Sequence, residues 1–188
     1  MQQTDFPLPL NLPPPVDDGA ADHLRDMAMP QVSLRSTAGR MVELAELSAP
    51  RTVIYCYPRT GVPGEPLPEG WDMIPGARGC TPQACSFRDQ HQELSQLKAE
   101  VFGLSTQTTE YQREMAERLH LPFEVLSDAE FKFCDAMRLP TFKVGGMRLV
   151  KRLTLVVRAG RVEHVFYPVF PPNESANQVL RWLRDHPM

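Results

Sequence analysis

Two cysteines, Cys80 and Cys85, stand where a proline- and glycine-rich stretch gives way to a helical pattern of apolar residues. A thiol in the first turn of a helix faces unpaired backbone N–H groups and the positive end of the helix dipole, which favour thiolate over thiol. Cys80 is therefore a candidate nucleophile. Five positions further along a regular helix, the Cα atom of Cys85 would lie about 8 Å away, beyond the roughly 7 Å limit for a disulfide. The two cysteines are therefore predicted to form a disulfide only after the first turn of the helix unwinds. This favours a redox couple that opens and closes during a reaction over a permanent structural disulfide.

Other interpretations of the cysteines stay open at this stage. Free cysteine is among the most buried residue types, so the pair could serve packing alone. A zinc site would need four ligands, and the available side chains are Cys80, Cys85, His91 and Cys134. Cys56 and Cys134 are interpreted as packing residues, with Cys134 as a second resolving candidate. His91 shares an apolar helix face and is interpreted as a residue at the edge of the core.

The overall composition excludes several classes of protein. With 188 residues, of which 42% are hydrophobic, the chain can bury one substantial core. The net charge of −3 and the scattered charges give no basic footprint, so no nucleic-acid partner is expected. Neither a secretory signal pattern nor a run of about 18 apolar residues occurs, so we expect a cytoplasmic protein with no membrane partner. Four cysteines are too few for a secreted disulfide scaffold, and in a reducing compartment a close pair is catalytic or metal-binding.

Strands and helices alternate along most of the chain. Residues 1–30 are rich in proline and are predicted to form an extended arm, followed by one domain over residues 31–188. The apolar run 52–57 predicts a central strand buried on both faces and ended by Pro58, and residues 59–79 form an unusually long loop. Further strands are predicted over 100–105 and 123–126, and helices over 80–97, 130–137 and from Thr108 or Thr109 to 119. A hairpin over 151–157 and 161–167 and a helix over 175–184 complete an α/β layered domain.

Several segments resemble the Q-type peroxiredoxins, also called bacterioferritin-comigratory proteins, over roughly residues 30–183. The matching segments are Tyr57-Pro58-Arg59-Thr60, Gly79-Cys80-Thr81-Pro82-Gln83-Ala84-Cys85 with Phe87-Arg88-Asp89, and Leu126-Ser127-Asp128. Arg152, which opens the penultimate predicted strand, also matches. The resemblance implies a thioredoxin-like fold, in which a central mixed β-sheet is flanked by helices, with the loop inserted before the active-site helix.

The resemblance also implies a thiol-dependent peroxidase that reduces hydrogen peroxide or organic hydroperoxides without a metal or bound cofactor. In this family the first cysteine becomes a sulfenic acid and the second resolves it, roles that fall to Cys80 and Cys85. Arg152 would stabilise the thiolate and the transition state. An external dithiol such as thioredoxin would reduce the resulting disulfide, and the protein is expected to be a monomer or a homodimer.

The chain departs from the family pattern just before the nucleophile. That pattern has a proline, three residues, a threonine or serine, two residues and then the cysteine. Pro58 matches the proline, but the 61–79 insertion follows and Ala77 occupies the hydroxyl position. Thr60 is the candidate substitute, and Pro58 and Thr60 are predicted to form walls of the pocket.

Two other functions remain open. The missing hydroxyl at Ala77 favours a non-catalytic or weakly catalytic thioredoxin-like module that senses redox state or binds a partner. A disulfide oxidoreductase acting on proteins is less well matched, because the pair lacks the Cys-x-x-Cys spacing.

Overall fold

The structure is a computed structural model that describes residues 8–188. Its strands are β1 (Ser33–Ser36), β2 (Met41–Glu43), β3 (Arg51–Cys56), β4 (Ala99–Ser105), β5 (Glu124–Ser127), β6 (Thr141–Val144), β7 (Met147–Val150), β8 (Leu153–Arg158) and β9 (Arg161–Phe166). Its α-helices are α1 (Cys80–Asp89), α2 (His91–Gln96), α3 (Thr109–Arg118), α4 (Lys132–Met137) and α5 (Ser175–Asp185). Short 3₁₀ turns occur at Asp22–Leu24, Leu44–Glu46, Trp71–Met73 and Pro172–Glu174.

Seven strands form one mixed sheet in the order β2-β1-β5-β4-β3-β8-β9. The central strands β3, β4 and β5 run parallel, whereas β8, β9, β1 and β2 join by antiparallel pairing. The predicted buried strand is confirmed as β3, all six residues of which are buried between its neighbours. Its β-branched and aromatic side chains suit a strand that is covered on both faces.

The two faces of the sheet carry separate cores, as the alternation of side chains along β3 requires. Val53 and Tyr55 point into one core, which includes Cys80, Cys85 and the inner face of α5. Ile54 and Cys56 point into the other, which includes apolar residues of α4. The predicted α/β domain with a central mixed sheet flanked by helices is therefore confirmed, and the two cysteines of α1 lie on one face of it.

The hairpin of β6 and β7 was not predicted. Gly145 and Gly146 form its two-residue turn, with φ of +52° and +78°, and Val144 pairs with Met147 across it. Two successive positive φ values are the geometry of a type I′ turn, which glycine adopts without strain. The Gly-Gly pair between two apolar runs was the signal that could have identified this hairpin.

The N-terminal segment packs on the domain over its later part. Ala21, Leu24 and Met29 lie in the core that faces α4, and Ala28 forms a backbone bridge with Arg161 of β9. The predicted arm also includes residues 1–7, which lie outside the described residues. Among residues 8–188, every helix is too short or too polar to cross a membrane.

Candidate active site

Cys80 is the first residue of α1, as the sequence predicted. Gly79 precedes it as the N-cap residue with φ of +104°, and a Cβ atom there would clash with the ring of Pro172. Only glycine combines this left-handed conformation with the close approach. The result is a helix start pressed against the turn that leads into α5, with the Cys80 residue only 4% exposed.

Arg152 meets the sulfur of Cys80 directly. Its Nη2 donates to Cys80 Sγ at 3.2 Å, and the arginine, which immediately precedes β8, is itself buried. The other acceptors of the guanidinium are the carbonyls of Gly76, Ala77 and Arg78 and the side-chain Oε1 of Gln83. None of these five acceptors is a carboxylate. The positive charge of Arg152 is therefore available to stabilise negative charge on the sulfur.

Gln83 and Ser175 hold this arrangement in place, and sequence reasoning missed both. Gln83 lies one helical turn after Cys80, so the two side chains share a face of α1 and one guanidinium can contact both. The side-chain amide of Gln83 donates to Ser175 Oγ at 3.2 Å, which ties the site to the start of α5. The spacing of three residues from the nucleophile was the available signal.

Cys85 is buried in the same core but makes no disulfide with Cys80. Both residues lie in continuous helix, which keeps their Cα atoms about 8 Å apart. Burial raises the pKa of the Cys85 thiol, and the nearby Arg88 offsets this only in part. In this conformation Cys85 is therefore a protonated thiol held out of reach of Cys80.

Thr60 lines the same cavity as Cys80 and is clamped by Gln107, another residue that the sequence did not indicate. Gln107 Oε1 accepts from the Thr60 backbone N–H at 3.0 Å and from its hydroxyl at 3.2 Å. Gln107 Nε2 donates to the Thr60 carbonyl at 3.1 Å. Pro58 is buried directly after β3 and does not line this cavity, so its predicted place as a pocket wall stays a prediction.

The 61–79 insertion forms much of the wall of the cavity. Trp71 packs with Ala77 and with Leu149 of the β6–β7 hairpin, forming a small apolar cluster separate from the two main cores. The ring of Trp71 also lies 6.2 Å from that of Phe142, centroid to centroid. Trp71 also lines the cavity at Cys80, so the insertion is part of the site.

The remaining cysteines lie on the opposite face of the sheet. Cys56 in β3 and Cys134 in α4 are fully buried in the core that faces away from Cys80. Burial, together with the Asp128 carboxylate, raises the pKa of both thiols far above the usual range. The sheet separates Cys134 from Cys80, and no group of three or more histidine, cysteine, aspartate or glutamate residues converges as a metal site within residues 8–188.

Comparison with known proteins identifies relatives of this chain. The family model Redoxin matches residues 24–180. Peroxiredoxin Bcp of Escherichia coli strain K12 is 30% identical over 161 residues, covering 84% of this chain and 93% of that protein. The chloroplastic peroxiredoxin Q of Gentiana triflora is 29% identical over 182 residues, covering 94% of this chain and 76% of that protein.

Solved structures show the same fold. The crystal structure of peroxidoxin BcpB from Mycobacterium tuberculosis matches with a TM-score of 0.71 and 25% identity, covering 87% of this chain and 98% of that one. Peroxiredoxin Q of Xanthomonas campestris matches with a TM-score of 0.66 and 20% identity, covering 94% and 96% of the two chains. The predicted thioredoxin-like peroxiredoxin fold is thus confirmed. The chain therefore belongs to the redoxin family and, within it, to the peroxiredoxins, which are thiol-dependent peroxidases.

Proposed function

We propose that Cys80 is the peroxidatic nucleophile of this peroxidase, that Arg152 stabilises its thiolate, and that Cys85 is the resolving thiol. The observation that carries this assignment is the hydrogen bond of 3.2 Å from Arg152 Nη2 to Cys80 Sγ at the start of α1. The positive end of a helix and a guanidinium that lacks a carboxylate partner both stabilise negative charge on sulfur.

The first chemical step is attack of the Cys80 thiolate on one oxygen of the hydroperoxide. An S–O bond forms as the O–O bond breaks, so the sulfur is oxidised by two electrons to a sulfenic acid and the peroxide is reduced. The leaving oxygen takes up a proton and departs as water or an alcohol. Negative charge passes from sulfur to that oxygen, and Arg152 stabilises it from its position beside the sulfur.

We assign the hydroxyl of Thr60 to binding the hydroperoxide. Gln107 supports this role, because the N–H and C=O of Thr60 fix the orientation of its amide and place Oε1 towards the hydroxyl. The one hydroxyl hydrogen is then donated to Gln107. The lone pairs of Thr60 Oγ1 remain free to accept the O–H of a bound hydroperoxide.

The second step condenses the sulfenic acid with the thiol of Cys85, forming a disulfide and releasing water. The first turn of α1 must unwind for this, starting with the hydrogen bond of 3.0 Å from Gln83 N to Gly79 O. Each backbone bond of this kind contributes about 1 kcal/mol net, so opening one turn costs only a few kcal/mol. Unwinding also exposes Cys85, whose thiol is otherwise kept protonated by burial.

A dithiol protein of the thioredoxin type would return the enzyme to its starting state. Thiol–disulfide exchange at the Cys80–Cys85 bond reduces both sulfurs and leaves the disulfide on the reductant. The similarity to Peroxiredoxin Bcp, and a Xanthomonas campestris bacterioferritin comigratory protein described for alkyl peroxide reduction activity, support hydroperoxides as substrates. Thr60 in the cavity argues against the non-catalytic alternative that Ala77 suggested.

The test is hydroperoxide consumption coupled to thioredoxin and thioredoxin reductase. We expect Cys80→Ser to abolish turnover, whereas Cys85→Ser allows one oxidation of Cys80 and then stops, with the sulfenic acid trapped. Cys134→Ala is the control, since that thiol lies beyond the sheet and should not contribute. Full turnover by Cys80→Ser would end the proposal.

A further inference from the structure

The cavity at Cys80 is larger than hydrogen peroxide needs. Its volume is about 440 Å³, within the range of sites that hold organic ligands. Much of its wall is apolar and comes from the insertion and the helix start, namely Val62, Pro63, Leu67, Trp71 and Pro82. The site therefore suits a hydroperoxide with an organic group of some size.

Arg59 differs from the other two arginines of this wall because it has no carboxylate partner within residues 8–188. Arg78 and Arg118 also line the cavity, but each has a carboxylate partner, Asp72 at 2.8 Å and Glu114 at 2.7 Å respectively. No carboxylate within residues 8–188 lies within 4.0 Å of the Arg59 guanidinium, which contacts Tyr111 and Met147 instead. The acidic residue of the wall, Glu65, is exposed to solvent, where water screens its charge.

The neighbours of Arg59 hold the guanidinium without neutralising it. It stacks over the ring of Tyr111, 5.2 Å from the centroid, and approaches Tyr111 Oη and Met147 Sδ at 3.4 Å each. These contacts use two of the five N–H donors of an arginine. The other three N–H groups have no hydrogen-bond partner within residues 8–188, and a half-buried guanidinium without a counter-ion can gain a charge-assisted hydrogen bond from a carboxylate.

We propose that Arg59 binds a carboxylate on the organic part of the hydroperoxide while the O–O bond meets Cys80. The enzyme then prefers organic hydroperoxides that carry a negative charge over neutral ones of the same shape. This inference rests on the proposed function of Cys80, and it adds a substrate class and a residue that selects it.

The test compares two probes that differ only in charge, cumene hydroperoxide with a para-carboxylate and the methyl ester of that compound. We expect the wild-type kcat/KM to favour the acid at least about tenfold, because a hydrogen bond to a charged group has that effect on binding. Arg59→Gln should bring the ratio close to one, mainly through KM for the acid. Arg59→Lys should keep part of the preference.

Arg78→Gln is the matched control, since it removes a wall arginine that already has a partner and should keep the wild-type ratio. A ratio near one in the wild type, or an unchanged ratio in Arg59→Gln, would overturn the inference. If the wild type consumed neither probe, the result would instead contradict the proposed function. Should Arg59→Gln fold poorly, raising the salt concentration with the wild type must lower kcat/KM for the acid and leave the ester unaffected.

Discussion

Replacing Thr60 by valine tests whether this residue supplies the hydroxyl that the chain lacks at Ala77. Valine keeps the shape of threonine and leaves the backbone clamp to Gln107 in place. Gln107 Oε1 would still accept the backbone N–H of residue 60 at 3.0 Å, so no buried acceptor loses its last donor. The lost hydroxyl contact at 3.2 Å is then expected to lower the free energy of unfolding by only about 0.5 to 1.5 kcal/mol.

The effect on the reaction should be larger than the effect on stability. A hydroperoxide bound near Cys80 would have its O–H donor left without the acceptor that Thr60 supplies, and a buried donor without an acceptor costs about 1 to 3 kcal/mol. The second-order rate constant for oxidation of Cys80 should therefore fall by roughly 5- to 150-fold. Thr60→Ser, which retains the hydroxyl, should stay within a few-fold of the wild type.

Stopped-flow tryptophan fluorescence can follow this oxidation in a single turnover, since Trp71 lines the cavity. Urea unfolding of the same variants gives the stability change. A rate for Thr60→Val equal to that of the wild type, with the fold intact, would refute the reasoning and leave the hydroperoxide to be held by Arg152 and backbone groups alone.

Three further predictions concern the charges and thiols around the site. Arg152→Met should slow oxidation of Cys80 by hydrogen peroxide about 10- to 150-fold in stopped-flow assays, and Arg152→Lys should recover only part, because lysine lacks the planar fork. In the reduced protein, iodoacetamide should modify Cys85 more slowly than Cys80, as read by peptide mass spectrometry, since burial raises the pKa of Cys85; equal rates would contradict the packing of α1. The buried Arg51 bonds Glu163 at 2.7 and 2.8 Å and lowers its pKa below the ordinary 4.5. Stability from this pair is present above that value and lost as pH falls through the folded-state pKa, so Glu163→Gln should flatten the fall in urea midpoint between about pH 5 and pH 3.

The parts of the site that could be predicted from sequence are those fixed by local patterns. The run of β-branched and aromatic residues defined β3, and the change from proline and glycine to a helical pattern placed Cys80 at the start of α1. Arg152 was identified through resemblance, and the structure places it in contact with the sulfur, whereas its role in stabilising the thiolate stays a prediction. In each case, neighbours in the chain decide the local conformation.

The parts that could not be predicted depend on contacts between distant segments. Gln107 and Thr60 are 47 residues apart, and Gln83 and Ser175 are 92 residues apart, so no local sequence pattern indicates that either pair is in contact. The predicted long helix after Cys80 is broken at Gln90, which lies between α1 and α2 with φ of −96° and ψ of 3°. The packing of the segment before residue 30 likewise depends on apolar surface supplied by β9 and the core.

The packing of the insertion gives a physical reason why residue 77 is an alanine and carries no hydroxyl. The side chain of Ala77 is fully buried in the apolar cluster with Trp71 and Leu149. A threonine there would place a hydroxyl in this cluster, and an unpaired buried hydroxyl costs about 1 to 3 kcal/mol. Once Trp71 packs in this position, the hydroxyl that binds the hydroperoxide must come from another element. Under the proposed function Thr60 meets that need, because it directly precedes the insertion, lines the cavity and is held by Gln107.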